Sequence, residues 1–362
     1  MIRVLQCVNN MHRAGLETML MNYYRNIDRE KIQFDFLVHR QERSDYDDEI
    51  DSMGGRIYRA PRLYPQNYPA YFAYMKRFFQ EHPEYKIVHS HIDAMSYLPL
   101  LAAKNAGVPI RIAHSHNTAI DLDFKYPLKQ IFRYMIGSVA SHRFSCGQAA
   151  GEFLFRGKSF LVIPNAIDAT RFSFDPEVRE AKREQLGVCN KFVMGHIGRF
   201  SYAKNHEFLI EIFSWVKKKE KDAVLILIGT GKKEKQIQEL VRNKGLTESV
   251  LFMGNRSDVS ELYQAMDVFV MPSLFEGVPV VGIEAQFSSL PCVFSKKVPQ
   301  EVAFSERCVF VDLKRDADCW ADTILGMRNC KRSPMNDLCS LYDIQRAHVF
   351  LEEQYLNLSN QL

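Results

Sequence analysis

Short apolar runs alternate with longer segments of helical periodicity along the whole chain. The runs are rich in Val, Ile, Leu and Phe, and they lack the polar alternation of a half-exposed strand. Strands that are apolar on both faces are typical of parallel sheets covered by helices. The predicted strands are Val4–Val8, Phe34–Val38, Ile87–His91, Ile110–His114, Phe144–Cys146, Leu161–Ile163, Phe192–Ile197, Val224–Ile228, Val250–Met253, Val268–Met271, Pro291–Phe294 and Val309–Val311.

Alternation of strands with helices indicates βαβ units, so the pattern predicts an α/β protein with two doubly wound, Rossmann-like domains. A turn-prone, charged stretch between Asn165 and Glu184 separates the two sets of strands. We therefore expect domains at residues 1–168 and 169–340. Residues 341–362 have helical periodicity with no strand after them, so this segment caps the second domain or packs back on the first.

Composition narrows the class of protein. The 362 residues are 46% hydrophobic and 25% charged, which excludes collagen-like, disordered and disulfide-scaffold classes. The 47 basic and 43 acidic residues give a net charge of +4, too small an excess to predict a nucleic-acid partner. The eight cysteines form no C-x-x-C pair, and the chain shows neither a secretion signal nor an apolar run of about 20 residues. These features predict a cytoplasmic protein.

Two glutamates mark the segment formed by residues 272–284. Pro279 suits a first helical turn, and Gly277 lets the backbone approach a ligand closely. A helix start binds anions through its free N–H groups. Glu276 precedes this start and Glu284 follows it, separated by about 8–12 Å along the axis. The spacing fits a ligand with hydroxyls at both ends and phosphate between, although two ordinary exposed glutamates would give the same pattern.

Two cations stand on the loop after the strand Phe192–Ile197. Arg199 and Lys204 precede a predicted helix at Asn205–Lys219. An arginine fork, a lysine charge and helix N–H groups together suit a diphosphate. An ordinary solvated loop would also carry such residues.

Four histidines close two strands of the first domain in the pairs His89, His91 and His114, His116. Two H-x-H pairs could bind a metal, but neither motif contains a carboxylate, and Asp93 lies only near the first. Strand-end histidines held by hydrogen bonds are the plainer interpretation. We expect one functional imidazole, His116, because it lies furthest past its strand, and no metal.

Weaker signals accompany these motifs. Gly229 follows the strand Val224–Ile228, and Asn255 and Arg256 follow another strand, with Ser257 as a candidate helix N-cap. The turn Met11–Glu17 lacks the G-x-G-x-x-G pattern, so nothing supports a dinucleotide cofactor.

The segment Phe124–Met135 is a candidate for contact with a membrane surface. Lys125, Lys129 and Arg133 are four residues apart beside aromatic residues, a pattern typical of an interfacial membrane helix. A core-packed amphipathic helix with a solvated basic edge is the alternative.

Taken in order, the motifs resemble those of the retaining, nucleotide-sugar-dependent glycosyltransferases of family 4. Glu276 and Glu284 match the E-x7-E motif of that family, and Arg199 and Lys204 match its paired diphosphate-binding cations. His116 falls at the family's acceptor-side histidine.

Three further segments extend the resemblance over nearly the whole chain. Gly15 and Glu17 match a Gly-Gly-x-Glu turn in which Ala14 replaces the first glycine. Asn165–Asp168 matches N-G-x-D with alanine in place of glycine, and Val298–Val302 is similar to a V-P-x-E-V stretch of capsule and exopolysaccharide transferases.

The resemblance implies a GT-B fold, with two Rossmann-like domains facing across a cleft, and sugar transfer from a nucleotide sugar, expected to be a UDP-sugar. It implies a saccharide or lipid-linked acceptor in cell-surface polysaccharide synthesis, no metal or other cofactor, and peripheral contact with the inner membrane face. Glu276, His116, Arg199 and Lys204 are the implied catalytic residues. The implied donor-side residues are Arg199, Lys204, Gly229, Asn255, Arg256, Glu276, Gly277, Val278, Pro279 and Glu284, and the acceptor-side residues are Gly15, Glu17, His91 and His116.

Two other functions remain open at this level. A nucleotide-sugar epimerase or hydrolase of the same fold would turn over the donor without a separate acceptor. A non-catalytic subunit would bind the nucleotide sugar and form no product, but it would not need the complete set of Arg199, Lys204 and Glu276.

Overall fold

A computed structural model describes residues 1–120, 123–333 and 341–361, and its contacts divide the chain into two units. The first unit comprises Met1–Ala166 together with Asp343–Leu362, and the second comprises Ile167–Tyr342. The boundary thus follows residue 166, where the sequence analysis put it after residue 168.

The first unit is a doubly wound parallel sheet. Its strands are β1 (Ile2–Val8), β2 (Ile32–Val38), β3 (Ile57–Arg59), β4 (Ile87–Ser90), β5 (Ile110–Ser115), β6 (His142–Ser145) and β7 (Leu161–Val162). Its helices are α1 (Gly15–Asn26), α2 (Asp47–Ser52), α3 (Tyr68–Glu81), α4 (Tyr97–Asn105), α5 (Tyr126–Met135), α6 (Gln148–Phe155) and, at the end of the chain, α14 (Ile344–Ser359). Within the described residues the strand order is β3-β2-β1-β4-β5-β6-β7.

The second unit repeats this plan. Its strands are β8 (Phe192–Ile197), β9 (Ala223–Ile228), β10 (Val250–Phe252), β11 (Val268–Met271), β12 (Cys292–Ser295) and β13 (Cys308–Val311). Its helices are α7 (Ala169–Phe172), α8 (Pro176–Gln185), α9 (His206–Lys219), α10 (Glu234–Asn243), α11 (Val259–Ala265), α12 (Val280–Phe287) and α13 (Ala317–Gly326). In the described part of this unit the order is β10-β9-β8-β11-β12-β13, with parallel pairing.

Burial explains why these strands were visible in the sequence. All residues of β8, β9 and β11 are buried, because helices cover both faces of the sheet. The strand that the sequence analysis missed, β3, has three residues, Ile57–Arg59, that are only partly buried at the sheet edge. Such a short, half-exposed strand gives no continuous apolar run.

Both sheets reverse their strand order at one central pair, β1 with β4 and β8 with β11. In α/β sheets of this kind, ligands bind beyond the carboxyl ends of the strands at such a point. The loops that follow β8 and β11 in one unit, and β4 and β5 in the other, therefore carry the candidate site residues.

Helix α14 packs in the first unit beside α1. Glu352 accepts a hydrogen bond from the Asp28 amide at 2.9 Å, and Gln345 donates to Asn26 at 3.1 Å. The fully buried Tyr355 reaches the polar side chains at the carboxyl ends of the strands. Among the described residues, no helix combines the length and apolar character needed to cross a membrane.

Candidate functional site

Two motifs that lie far apart in sequence meet on the second unit. The Lys204 ammonium lies 2.7 Å from Glu276 Oε1, so the loop after β8 and the loop after β11 share an ion pair. The backbone amide of Leu274 also donates to the Ala203 carbonyl at 2.7 Å. The cation loop and the first glutamate of the E-x7-E motif therefore form one continuous surface.

The turn into α9 fixes the second attachment between these loops. Asn205 has a φ of 55°, in the left-handed region that asparagine tolerates better than most residues. Its side-chain amide donates to the Pro272 carbonyl at 3.1 Å. Asn205 thus supplies both the turn and a bond to the facing loop, a role that its place in the sequence did not reveal.

The ion pair is largely shielded from solvent. The side chains of Lys204 and Glu276 are 17% and 12% exposed. The lysine stem packs over Gly198, where an added Cβ would lie 3.1 Å from its methylenes. An ammonium has three donors, so the bond to Glu276 leaves others for a ligand.

Arg199 is exposed, and close backbone packing fixes its loop. The Phe200 amide donates to the Thr230 carbonyl at 3.0 Å. Gly229 has a φ of 128°, and a Cβ there would lie 2.3 Å from the Gly198 carbonyl oxygen. Gly229 is therefore required by the approach of two backbone segments, which holds the position of Arg199.

Glu284 is buried on α12 and faces α11. The Tyr263 hydroxyl donates to Glu284 Oε2 at 2.9 Å. Burial raises the pKa of Glu284 to about 7, while the bond from Tyr263 and the nearby charge of Arg171 oppose that rise. This carboxyl group therefore changes protonation state near neutral pH. Because it is buried, little of it contacts water.

The helix start between the two glutamates is well packed. Helix α12 begins at Val280, with Pro279 at the N-cap, and both Gly277 and Val278 are buried. First-turn N–H groups of a helix have no partner within the helix. This start therefore provides donors on the same loop as Glu276.

The loop after β10 carries the predicted donor-side residues Asn255 and Arg256. Asn255 is exposed, but Arg256 makes two bonds of 2.7 Å to the carboxylate of Asp258. These bonds, with one from Lys182, hold the pKa of Asp258 well below its ordinary value. Asp258 also occupies the N-cap of α11, so the prediction of Ser257 as N-cap was wrong.

The first unit gathers the four predicted histidines on one face of the sheet. His89 Nε2 lies 3.1 Å from His114 Nδ1, and His91 Nδ1 lies 3.0 Å from His116 Nε2. Burial lowers the pKa of each ring, that of His116 to about 3, so all four are neutral at physiological pH.

His116 lies one residue beyond β5 and is the partly exposed member of this set. Its backbone amide donates to Asp93 Oδ1, and the Asn117 side chain donates to Asp93 Oδ2, both at 2.7 Å. Asp93 itself has a φ of 46°. The carboxylate that the sequence placed near the histidines thus anchors the His116 backbone.

Nitrogens of His89, His91 and His114 lie within 4.8 Å of one another, a separation that raises the question of a metal. However, the facing nitrogens of His89 and His114 are only 3.1 Å apart and share a hydrogen bond. Hydrogen bonds between neutral imidazoles account for this cluster, and the absence of a metal stays a prediction.

Gly15 and Glu17 lie at the start of α1, where Glu17 is buried. Ala14 precedes the helix with φ −146° and ψ 173°, an extended conformation that alanine adopts without strain. Replacement of the family's glycine by Ala14 therefore does not disturb this turn.

The three cations predicted to form a basic stripe at α5 also bond within the unit, and membrane contact through them stays a prediction. Lys125 donates to the Leu63 carbonyl, Lys129 pairs with Asp123, and Arg133 donates to the Phe153 carbonyl, at 2.7–2.8 Å.

A different surface lies beside α5. Phe124, Ile131, Tyr134 and Met135 are exposed. Next to Tyr134 is a cavity of about 260 Å³, and the described residues lining it include four cations and no acidic side chain. The cations are Arg133, Arg143, Arg156 and Lys158.

Two Rossmann-like units, with paired cations and a glutamate motif at the sheet edge of the second, define a GT-B glycosyltransferase. The chain matches the family model described as Glycosyltransferase Family 4 over residues 13–171 and that described as Glycosyl transferases group 1 over residues 178–327. It is 36% identical over 333 residues to the putative glycosyltransferase EpsF of Bacillus subtilis, covering 89% of this chain and 86% of that protein. The chain belongs to glycosyltransferase family 4.

Two further relatives are informative. A UDP-Gal:alpha-D-GlcNAc-diphosphoundecaprenol alpha-1,3-galactosyltransferase of Escherichia coli is 28% identical over 224 residues, 59% of this chain and 58% of that enzyme. The crystal structure of Anabaena Alr3699/HepE with UDP-glucose superposes with a TM-score of 0.78 over 100% of both chains, at 18% identity.

Proposed function

We propose that this glycosyltransferase moves a sugar from a UDP-sugar to a lipid-linked or saccharide acceptor in cell-surface polysaccharide synthesis, with retention of anomeric configuration. The observation that carries the proposal is the Lys204–Glu276 ion pair, which joins the cation loop to the glutamate motif. The UDP-glucose bound by HepE and the substrates named for the Escherichia coli relative support the choice of donor and acceptor.

In this proposal the donor lies along the carboxyl edge of the second sheet. Arg199 and Lys204 neutralise the diphosphate, and the N–H groups near Gly277 and Val278 add hydrogen bonds. Glu284 accepts the ribose hydroxyls and Glu276 accepts hydroxyls of the sugar. The loop at Asn255 borders the base.

The reaction breaks the bond from the anomeric carbon to the diphosphate and forms a bond to the acceptor oxygen on the same face. The electron pair of the breaking bond goes to the diphosphate, which also takes the proton of the acceptor hydroxyl. Fixed cations stabilise this developing charge without reorganising. Charge neutralisation by Arg199 and Lys204 removes the need for a metal ion.

The acceptor side lies on the first unit. His116 orients an acceptor hydroxyl or the primary hydroxyl of the donor sugar, and Gly15 and Glu17 at the α1 start border the same substrate. His91 acts through its bond to His116.

The proposal is tested by incubating the protein with UDP-sugars and a diphosphoundecaprenol-linked acceptor in EDTA. We expect a glycoside whose anomeric configuration, read by proton NMR, equals that of the donor. An inverted product, or activity abolished by EDTA and restored by a metal, would contradict it. Donor turnover at a rate indifferent to the acceptor would indicate the hydrolase or epimerase instead.

Donor binding is expected to weaken as the pH falls below 7. Glu284 has a pKa near 7 in the free protein, and hydroxyl groups donate best to its ionised form. Below this pH the carboxyl is protonated, so affinity for UDP-glucose should fall by up to about tenfold per pH unit. Calorimetry between about pH 5.5 and pH 8.5 measures this dependence. The Glu284→Gln variant should bind UDP-glucose weakly at every pH. If its affinity fell as steeply with pH as that of the wild type, Glu284 would not be the source of the pH dependence.

We also propose that the exposed apolar residues of α5 and the basic cavity beside them contact an anionic membrane surface. Three cations of this cavity are at least partly exposed, namely Arg143, Arg156 and Lys158. Each cation near such a surface contributes about 1 kcal/mol, so replacing all three by glutamine should weaken vesicle binding roughly 100-fold.

Flotation with vesicles containing phosphatidylglycerol measures this effect. The matched control replaces three exposed cations of the second unit, Lys221, Lys235 and Arg242, by glutamine. Equal flotation of both triple variants would refute the membrane surface.

A further inference from the structure

Six side chains form one hydrogen-bonded chain through the first unit. It runs, in order, through His114, His89, Tyr355, Gln6, His91 and His116. The members come from β1, β4, β5, α14 and the residues directly after β4 and β5, and all except His116 are buried. Each hydrogen bond holds one proton, and a neutral imidazole donates from one nitrogen and accepts at the other. Once the donor of one bond is known, the donor of every other bond in the chain follows.

The orientation of the Gln6 amide sets that direction. The Tyr355 oxygen accepts from Gln6 Nε2, so the proton of the tyrosine goes to its other partner, His89 Nδ1, at 2.6 Å. The tyrosine therefore donates to His89. Gln6 Nε2 lies 3.2 Å from the same oxygen, which is typical of an amide that donates to it.

From Gln6 the protons follow toward His116. The amide nitrogen faces Tyr355, so the amide oxygen accepts from His91 Nε2 at 2.8 Å. Neutral His91 then has a bare Nδ1, which accepts from His116 Nε2 at 3.0 Å. Neutral His116 in turn has a bare Nδ1.

The other branch ends in a buried donor. His89 accepts at Nδ1, so its Nε2 donates to His114 Nδ1. The remaining proton of His114 lies on Nε2, which is buried without a partner among the described residues. The chain thus ends in an unsatisfied donor at His114 and a bare acceptor at His116.

We propose that Gln6, Tyr355 and His91 are positioning residues that hold His116 as the Nε2–H tautomer. His116 Nδ1 then accepts a hydrogen bond from a substrate hydroxyl and cannot donate one. The role toward substrate rests on the proposed function, whereas the tautomer is a property of the ligand-free protein. A hydroxyl bound there must point its proton at the ring, so its own oxygen lone pairs face away from it.

The test is long-range proton–nitrogen NMR of the full chain labelled with nitrogen-15 histidine, without ligand. The His116 signals are assigned by their loss in His116→Gln. We expect a protonated Nε2 and an unprotonated Nδ1 on His116 and on His91. A protonated Nδ1 on His116 would overturn the proposal, whatever the enzyme's activity.

Two variants test the control of this tautomer. Gln6→Met and Tyr355→Phe each cut the chain, so His116 should become a mixture of both tautomers. Tyr23→Phe is the matched control, because it removes a buried tyrosine hydroxyl that donates to the Pro164 carbonyl, outside the six-residue chain. An unchanged tautomer in Gln6→Met, or an equal change in Tyr23→Phe, would refute the assigned roles.

Discussion

Replacing Arg199 by alanine is expected to lower kcat/KM for sugar transfer at least about 30-fold, which is a loss of about 2 kcal/mol of transition-state stabilisation. Arg199 is exposed on a loop held by the close approach of Gly229 to Gly198. Its loss should therefore remove a charge at the proposed diphosphate site and leave the fold intact. Steady-state kinetics with a UDP-sugar give the effect, and an unchanged Tm verifies the fold.

Two comparisons make the result specific. Arg242→Ala removes an exposed guanidinium from the far end of α10 and should leave transfer unchanged. Arg199→Lys should recover part of the loss, since lysine keeps the charge but not the paired donors. Near-wild-type transfer by Arg199→Ala would eliminate this residue from the diphosphate site.

The second large effect is expected at the Lys204–Glu276 pair. Lys204→Met or Glu276→Gln alone leaves an unpaired charge that is mostly buried, so each should lower Tm by several degrees. Each should also lower kcat/KM at least about 100-fold, because each removes a group that contacts the donor in the proposed site. The double variant should recover Tm but not activity, which separates pairing from catalysis.

The control is the ion pair Lys233–Glu207 in the same unit, 2.6 Å long and about one-third exposed. The same substitutions there should change activity little. If the double variant at Lys204 and Glu276 regained transfer together with Tm, the pair would be structural and the donor site would lie elsewhere.

The sequence predicted the architecture where burial left a continuous signal. Strands such as β8 and β9 are buried on both faces, so their apolar runs stand out. By contrast, β3 escaped prediction because its three residues lie at a half-exposed edge. Helical periodicity predicted α14 but not the unit that it joins. Periodicity shows that one face of a helix is apolar, but not which element packs against that face.

The candidate site was predicted only as far as its motifs are local. Arg199, Lys204, Glu276 and Glu284 were proposed as site residues because strand ends and helix starts mark them. The Tyr263 bond to Glu284 joins residues that no spacing relates. The same limit applies to α5: periodicity shows which cations share a helix face, but not that a carbonyl or Asp123 also binds them.

The donor site is tested most directly by a crystal structure of the protein with UDP-glucose. We predict diphosphate oxygens within hydrogen-bond distance of the Arg199 guanidinium and the Lys204 ammonium, and ribose hydroxyls on the Glu284 carboxylate. A diphosphate bound away from the loops after β8 and β11, or a ribose that does not reach Glu284, would contradict the proposed site.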